Sequence, residues 1–117
     1  MFSVQGIGDV VISVMCNNEV ASGAPLRFFT DHEVIPALTG QTFHGVVLQN
    51  KKGVVASVQI GGFVTMAYTG TDPAVGYKRF ILDGEGIIKV DTSENVNNPL
   101  RLVVDVDTDQ KLVTFML

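Results

Sequence analysis

Few side chains in this 117-residue chain could do chemistry, and they are scattered. The histidines are His32 and His44. His32 lies in Asp31-His32-Glu33, where flanking carboxylates would raise an imidazole pKa or share a metal ion. A solvated loop histidine explains the same residues and is the favoured reading. His44 stands beside Gly45 at the start of a strand. A general base there needs a partner within hydrogen-bond reach, and a cross-strand or surface histidine needs none. The second reading is favoured. Cys16 is the one cysteine. It cannot form an intramolecular disulfide or hold zinc alone. A nucleophilic thiol needs a lowered pKa and a nearby base. The sequence around Cys16 supplies neither, so a structural thiol is expected.

The acidic groups fare similarly. Asp105-Val106-Asp107-Thr108-Asp109 resembles the opening of a calcium loop. Such a loop wants glycine at its sixth position and a bidentate glutamate at its twelfth, and here Gln110 and Met116 stand there. A solvated acidic turn is the better reading. Asp83 and Glu85 form a carboxylate pair, but they sit in a glycine-rich turn that needs polar residues anyway. Gly6-Ile7-Gly8 begins like a dinucleotide fingerprint, yet Val11 takes the third glycine position and a strand follows. No phosphate loop, Gly-x-Ser-x-Gly or His-Glu-x-x-His motif is present. No catalytic residues, metal ligands or cofactor are therefore assigned, and an enzyme is the least favoured class.

Composition narrows the class. Apolar residues make up 46% and charged residues 17%, which argues for a packed core rather than a disordered chain. The length suits a single β-domain over residues 1–117. A net charge of −4 disfavours electrostatic binding to nucleic acid or an anionic membrane, so neither is an expected partner. The start of the chain has no basic and apolar segments of a signal peptide, which places it by default in the cytosol of the cell that makes it. Residues 53–71 are uncharged and long enough to cross a bilayer, but they contain Ser57, Gln59, Gly61, Gly62, Thr65 and Thr69. Two alternating strands with Gly61-Gly62 between them explain this run better.

The elements that must carry these residues are short strands. No window repeats apolar positions at helical spacing. Strands are predicted at Val10–Met15, Leu26–Thr30, Phe43–Gln49, Val54–Ile60, Phe63–Tyr68, Tyr77–Leu82, Ile87–Val90, Leu100–Val106 and Lys111–Leu117. Val34-Ile35 is a shorter apolar piece stopped by Pro36. In the ninth, Leu100, Leu102, Val104 and Val106 alternate with Arg101, Val103 and Asp105. Eight or nine mostly antiparallel strands, with turns every 8–12 residues or so, predict a small all-β sandwich or partly open barrel. No internal repeat is visible in the residues. Lys51, Lys52, Lys78, Arg79, Lys89, Arg101 and Lys111 read as edge-protecting and solubilising charges.

A small β-domain without a reactive cluster works by its surface. The first candidate is an N-terminal arm, residues 1–7, with Phe2, Val4 and Ile7, able to add to a neighbour's sheet edge. Its plainer reading is an edge strand of its own sheet. The second is the Thr69–Tyr77 loop with Tyr68 and Tyr77 at its base, since tyrosines flanking a rigid loop suit a protein interface. Its plainer reading is that both rings cap the core.

The order of motifs resembles that of small capsid-decoration and head-structural proteins of tailed bacteriophages and prophages. The similar pieces are Gly8-Asp9-Val10-Val11, Thr42-Phe43-His44-Gly45-Val46-Val47-Leu48, Gly62-Phe63-Val64 and Tyr68-Thr69-Gly70-Thr71. Val75-Gly76-Tyr77, Gly86-Ile87-Ile88-Lys89-Val90 and Lys111-Leu112-Val113-Thr114-Phe115 complete the series. The resemblance spans most of the chain. It departs from many members in having few alanines and an acidic balance. It implies a non-enzymatic virion protein, made in the bacterial host cytoplasm and bound to the outside of the shell. It further implies the major capsid protein as partner and a homo-oligomer, a trimer being favoured. The alternatives are a tail or baseplate subunit, or a β-domain that binds a small ligand or carbohydrate. The absence of tryptophan counts against a sugar platform. If residues 1–7 form a donated arm, deleting them abolishes capsid binding in a sedimentation assay and leaves the melting temperature nearly unchanged; loss of folding would make the segment core.

Overall fold

The computed structural model describes residues 9–15, 22–30, 33–51, 55–84, 86–93 and 97–117. Among these residues there are ten strands and no helix. The all-β expectation holds, but in place of one sandwich or partly open barrel of eight or nine strands the ten strands form two closed five-stranded rings. The first contains β1 (Val10–Met15), β2 (Pro25–Thr30), β3 (Glu33–Pro36), β4 (Gly45–Lys51) and β5 (Val55–Gly61). The second contains β6 (Phe63–Tyr68), β7 (Gly76–Leu82), β8 (Ile87–Val90), β9 (Leu100–Asp107) and β10 (Leu112–Met116). The uncharged run is thus the end of one ring and the start of the next, with Gly62 between β5 and β6. The strand count rose because the short piece at Pro36 pairs on both sides, with β1 and β2. Closing each sheet on itself leaves no long unpaired edge.

The two rings share one pairing diagram. In each, the first strand runs parallel to the third and antiparallel to the fifth. The second strand pairs with the third and fourth, and the fourth with the fifth, all antiparallel. The registers match across every pair but one: β7–β9 is shifted by two residues relative to β2–β4, since Leu26 lies opposite Gly45 while Lys78, rather than Phe80, lies opposite Arg101. Leu26 lies opposite Pro36 as Phe80 lies opposite Val90. Val47 lies opposite Val58 as Val103 lies opposite Phe115. Each fourth strand carries a bulge one residue later, at Leu48 and Val104. The backbone bond from Ala37 N–H to Pro25 C=O, 3.1 Å, recurs from Asp91 N–H to Arg79 C=O, 2.8 Å.

Five core positions therefore correspond: Leu26 with Phe80, Val34 with Ile88, Val47 with Val103, Ala56 with Val113, and Val58 with Phe115. None is more than 1% exposed. The first ring fills its interior with a leucine, three valines and an alanine. The second uses two phenylalanines, tilted with centroids 5.2 Å apart. Only the Val47/Val103 pair is identical, and loop lengths differ, so the residues show no repeat while the backbone does.

The rings are joined by more than the chain at Gly62. The β3–β4 connection of the first ring lies on the end of β7 in the second. Gly40 N–H donates to Leu82 C=O at 2.8 Å, and Leu82 N–H donates to Gln41 C=O at 2.9 Å. Phe43, at the end of that connection, is fully buried in the second ring's core and meets Phe115 edge to face at 6.0 Å. Arg101 on β9 donates from its guanidinium to the Phe43 carbonyl and lies over the Phe43 ring at 4.8 Å. Val46 on β4 joins the same core. Beside it, Gln59 is only 5% exposed, and its amide donates to Gly61 C=O at 3.0 Å and Phe63 C=O at 3.3 Å.

Two glycines make these approaches possible. Gly62 has φ +87°, and a Cβ there would lie 2.9 Å from Asp9 Cα. Gly45 pairs with Leu26, and a Cβ on it would lie 2.7 Å from Val58 Cγ1 and 2.8 Å from Gln59 C=O. The second contact is backbone and cannot yield. Gly45→Ala should therefore destabilise the protein by about 2–3 kcal/mol, read from denaturant midpoints at constant m.

Candidate functional site

The loop between β6 and β7 is fixed from both sides. Thr69 N–H donates to Ile88 C=O at 2.9 Å, and the Thr69 hydroxyl donates to Asp83. Asp83 also lies 3.9 Å from the Lys89 ammonium. The Tyr68 hydroxyl donates to Asp72 Oδ1 at 2.6 Å. The Lys111 ammonium donates to the same oxygen at 2.7 Å and lies 5.4 Å from the Tyr68 ring centre. Pro73 is buried. Lys111 has φ 56°, the one positive value at a non-glycine among the described residues. It follows the β9–β10 turn, where Asp107 Oδ1 accepts from the N–H groups of Asp109 and Gln110, each at 3.1 Å. Of the acidic run read as a turn, Asp105 to Asp107 end β9 and Thr108 and Asp109 lie in the turn, which Asp107 caps.

Beyond this loop the chain presents apolar side chains. Val75 is 68% exposed and Tyr77 63%. Tyr77 lies opposite Leu102 on β9, and Arg79 opposite Leu100, which is 51% exposed. These side chains share the outer face of the β7–β9 pair. Met116 on β10 adds a further exposed side chain. The result is an apolar strip on rigid strands, edged by Arg79, whose side chain donates to Asn98 C=O at 3.0 Å.

The alternation read in β9 holds over its first residues, with Leu100 and Leu102 on one face and Arg101 and Val103 on the other. Arg101 and Val103 point inward, 7% and 0% exposed, while Leu100 faces out. The bulge at Val104 resets the phase, so Val106 returns to the core side. Arg101 is accordingly a buried clamp rather than a solubilising charge. Tyr68 is 3% exposed and belongs to the core; Tyr77 is the ring that faces solvent. Phe2, Val4, Ile7, Cys16, His32 and Glu85 lie outside the described residues. Leu100 and Met116 were missed because strand alternation assigned them no special face.

The titratable groups that are described hold structure. His44 Nδ1 accepts the Phe28 N–H at 3.0 Å, and its ring stacks on Phe28 with centroids 5.8 Å apart. Burial lowers its pKa below 6.5, and the charges of Arg27 and Arg101 lower it further. Asp91 accepts from Ser93 and Asn98, which hold it below the usual carboxylate range. Asp72 is lowered chiefly by Lys111, then by Tyr68. Burial, reinforced by the Asp72 hydrogen bond, pushes the Tyr68 phenol up to about 12.

Fold and strip together define a class: a tandem pair of small closed β-rings whose reactive groups pin turns and whose outer face is apolar. Compared with known proteins, the chain matches no protein-family model and no curated relative.

The pinned loop gives a signed pH dependence. The Asp72 carboxyl is held below its ordinary 3.8, so its contribution is complete above that pH and fades as pH falls through the folded value. Tyr68 contributes below pH 10 and loses its contribution as pH climbs toward 12. Melting temperatures across pH should show a shallower acid limb for Asp72→Asn and a shallower alkaline limb for Tyr68→Phe than for the natural chain.

Proposed function

We propose that this chain is a non-enzymatic virion structural protein that binds and stabilises the outside of an assembled phage capsid, acting as an oligomer. The observation that carries the reading is the exposed strip of Tyr77 on β7 and Leu100 on β9, with Val75 just before β7, next to a loop fixed by Tyr68, Asp72 and Lys111. Large apolar side chains on a rigid face are the chemistry of a protein contact, with tyrosine a favoured anchor. The described side chains most apt for chemistry support the same reading, since His44, Asp72, Asp83, Asp91 and Asp107 each hold a turn, loop or strand in place. The motif resemblance supplies the capsid as the partner.

The mechanism is mass action. A protein that binds only the expanded shell stabilises that state by its binding free energy, multiplied over many copies. Each contact then needs only ordinary size. The net negative charge keeps the protein from adhering to DNA.

The test is co-sedimentation with expanded shells assembled from a tailed-phage major capsid protein taken from the same source as this chain. The natural protein should pellet with shells and raise their melting temperature. The double variant Tyr77→Ser, Leu100→Ser should fold normally and bind at least about tenfold more weakly, as removal of interface anchors does. Failure of the natural protein to pellet with shells would remove the reading.

A further inference from the structure

The duplicated backbone shows what covers each face in one ring and leaves it bare in the other. Val46 and Gln59 are paired across β4 and β5 and point out of the first ring. Both are buried, at 6% and 5%, Val46 in the second ring's core and Gln59 hydrogen-bonded across the Gly62 junction. Carrying the registers over, Val46 corresponds to Leu102 and Gln59 to Met116. His44 corresponds to Leu100. In the second ring these positions are apolar, yet Met116 is 39% and Leu100 51% exposed. Tyr77, opposite Leu102, extends the same face. The outer face that joins the first ring to the second is thus repeated on the second ring, with apolar side chains and no ring beyond it.

The receiving side is repeated as well. Leu82, at the end of β7, is fully buried beneath the β3–β4 connection. Its counterpart on β2 is Phe28, two residues before the end of that strand, which lies opposite Val34 as Leu82 lies opposite Ile88. Phe28 is 40% exposed. The charges match the joining of these ends. Arg27 flanks Phe28, and the connection after β8 carries Asp91, held ionised by Ser93 and Asn98.

We propose that the Tyr77–Leu100–Leu102–Met116 face receives the first ring of a second copy, at its Phe28 end, so that copies join head to tail through the faces equivalent to those that join the two rings, as a surface contact without the Phe43 insertion, whose counterpart is Pro99. The contact is heterologous, and its rotation decides between a closed ring and an open fibre. It rests on the oligomeric part of the functional reading above; with Tyr77 and Leu100 in the subunit contact, the weaker shell binding expected of their double variant follows from loss of the oligomer.

Two measurements test it without capsids. In light scattering after size exclusion, the natural chain should exceed monomer mass in a concentration-dependent way. Leu100→Asp should raise the dissociation constant at least about tenfold with an unchanged melting temperature. In a Cys16→Ser background, Phe28→Cys mixed with Leu100→Cys should form a disulfide-linked pair under mild oxidation, and neither variant alone should do so. A natural chain that stays monomeric at all concentrations overturns the proposal. So does a Leu100→Cys variant that links to itself as readily as to its partner, since that marks a two-fold contact. Adding shells separates the two readings. An oligomer that never pellets with shells supports this contact and overturns the capsid partner. A monomer that coats shells overturns this contact and leaves the capsid partner standing.

Discussion

The arrangement of the whole chain depends on one buried contact, that of Arg101 with Phe43. The guanidinium of β9 donates to the Phe43 carbonyl and lies over its ring. Taking an arginine out of water costs several kcal/mol unless its donors are satisfied. Burial does lower its pKa, yet a guanidinium stays charged inside a protein. The charge is tolerated because the carbonyl and the aromatic face replace water, and a desolvated cation–π contact is worth about 2 kcal/mol. Phe43 is thereby anchored among Phe115, Phe80 and Leu82. The backbone bonds of Gly40 and Gln41 to Leu82 follow from that placement. Without it, the β3–β4 connection would leave Leu82 uncovered and the two rings would be held mainly by the junction at Gly62.

The same diagram is built twice with different filling, and this divides the labour. The first ring's core is small, so its packing leans on close backbone approach at Gly45. The second has two phenylalanines and accepts a third from outside. That difference in filling gives the Phe43 insertion its direction within the chain. The first ring donates Phe43 and Val46; the second receives them.

Much of the strand pattern was legible in the residues. Ala56 and Val58 alternate with Ser57 along β5 and are buried together, and of Gly61-Gly62 the first ends β5 and the second separates it from β6. The acidic turn at Asp107 was readable because aspartate two residues before an exposed tip caps backbone N–H groups. What was hidden is physical in origin. A bulge shifts alternation by one residue, so Val106 lies on the core side with Arg101 and Val103 rather than outside with Leu100. Gln59 is buried by the other ring rather than by its own, and no local pattern encodes that. The duplication was invisible because core volume, rather than residue identity, is what a ring needs, and Val58 and Phe115 meet the same need differently.

Tyr77 illustrates how local and global information combine. Sequence placed it beside a rigid loop, with Tyr68 as an equal candidate. Geometry separates them. The Tyr68 hydroxyl is spent on Asp72 and its ring lies under Lys111, so it holds the loop from below. Tyr77 stands outside, opposite Leu102, at a position whose meaning comes from the other half of the chain. Gly40 and Gln41 bond to the strand end at Leu82, and Val46 and Phe43 insert beside it. An outer face built on that plan and left apolar is the observation from which the head-to-tail contact is proposed, with the β2 surface at Phe28 as its matching side.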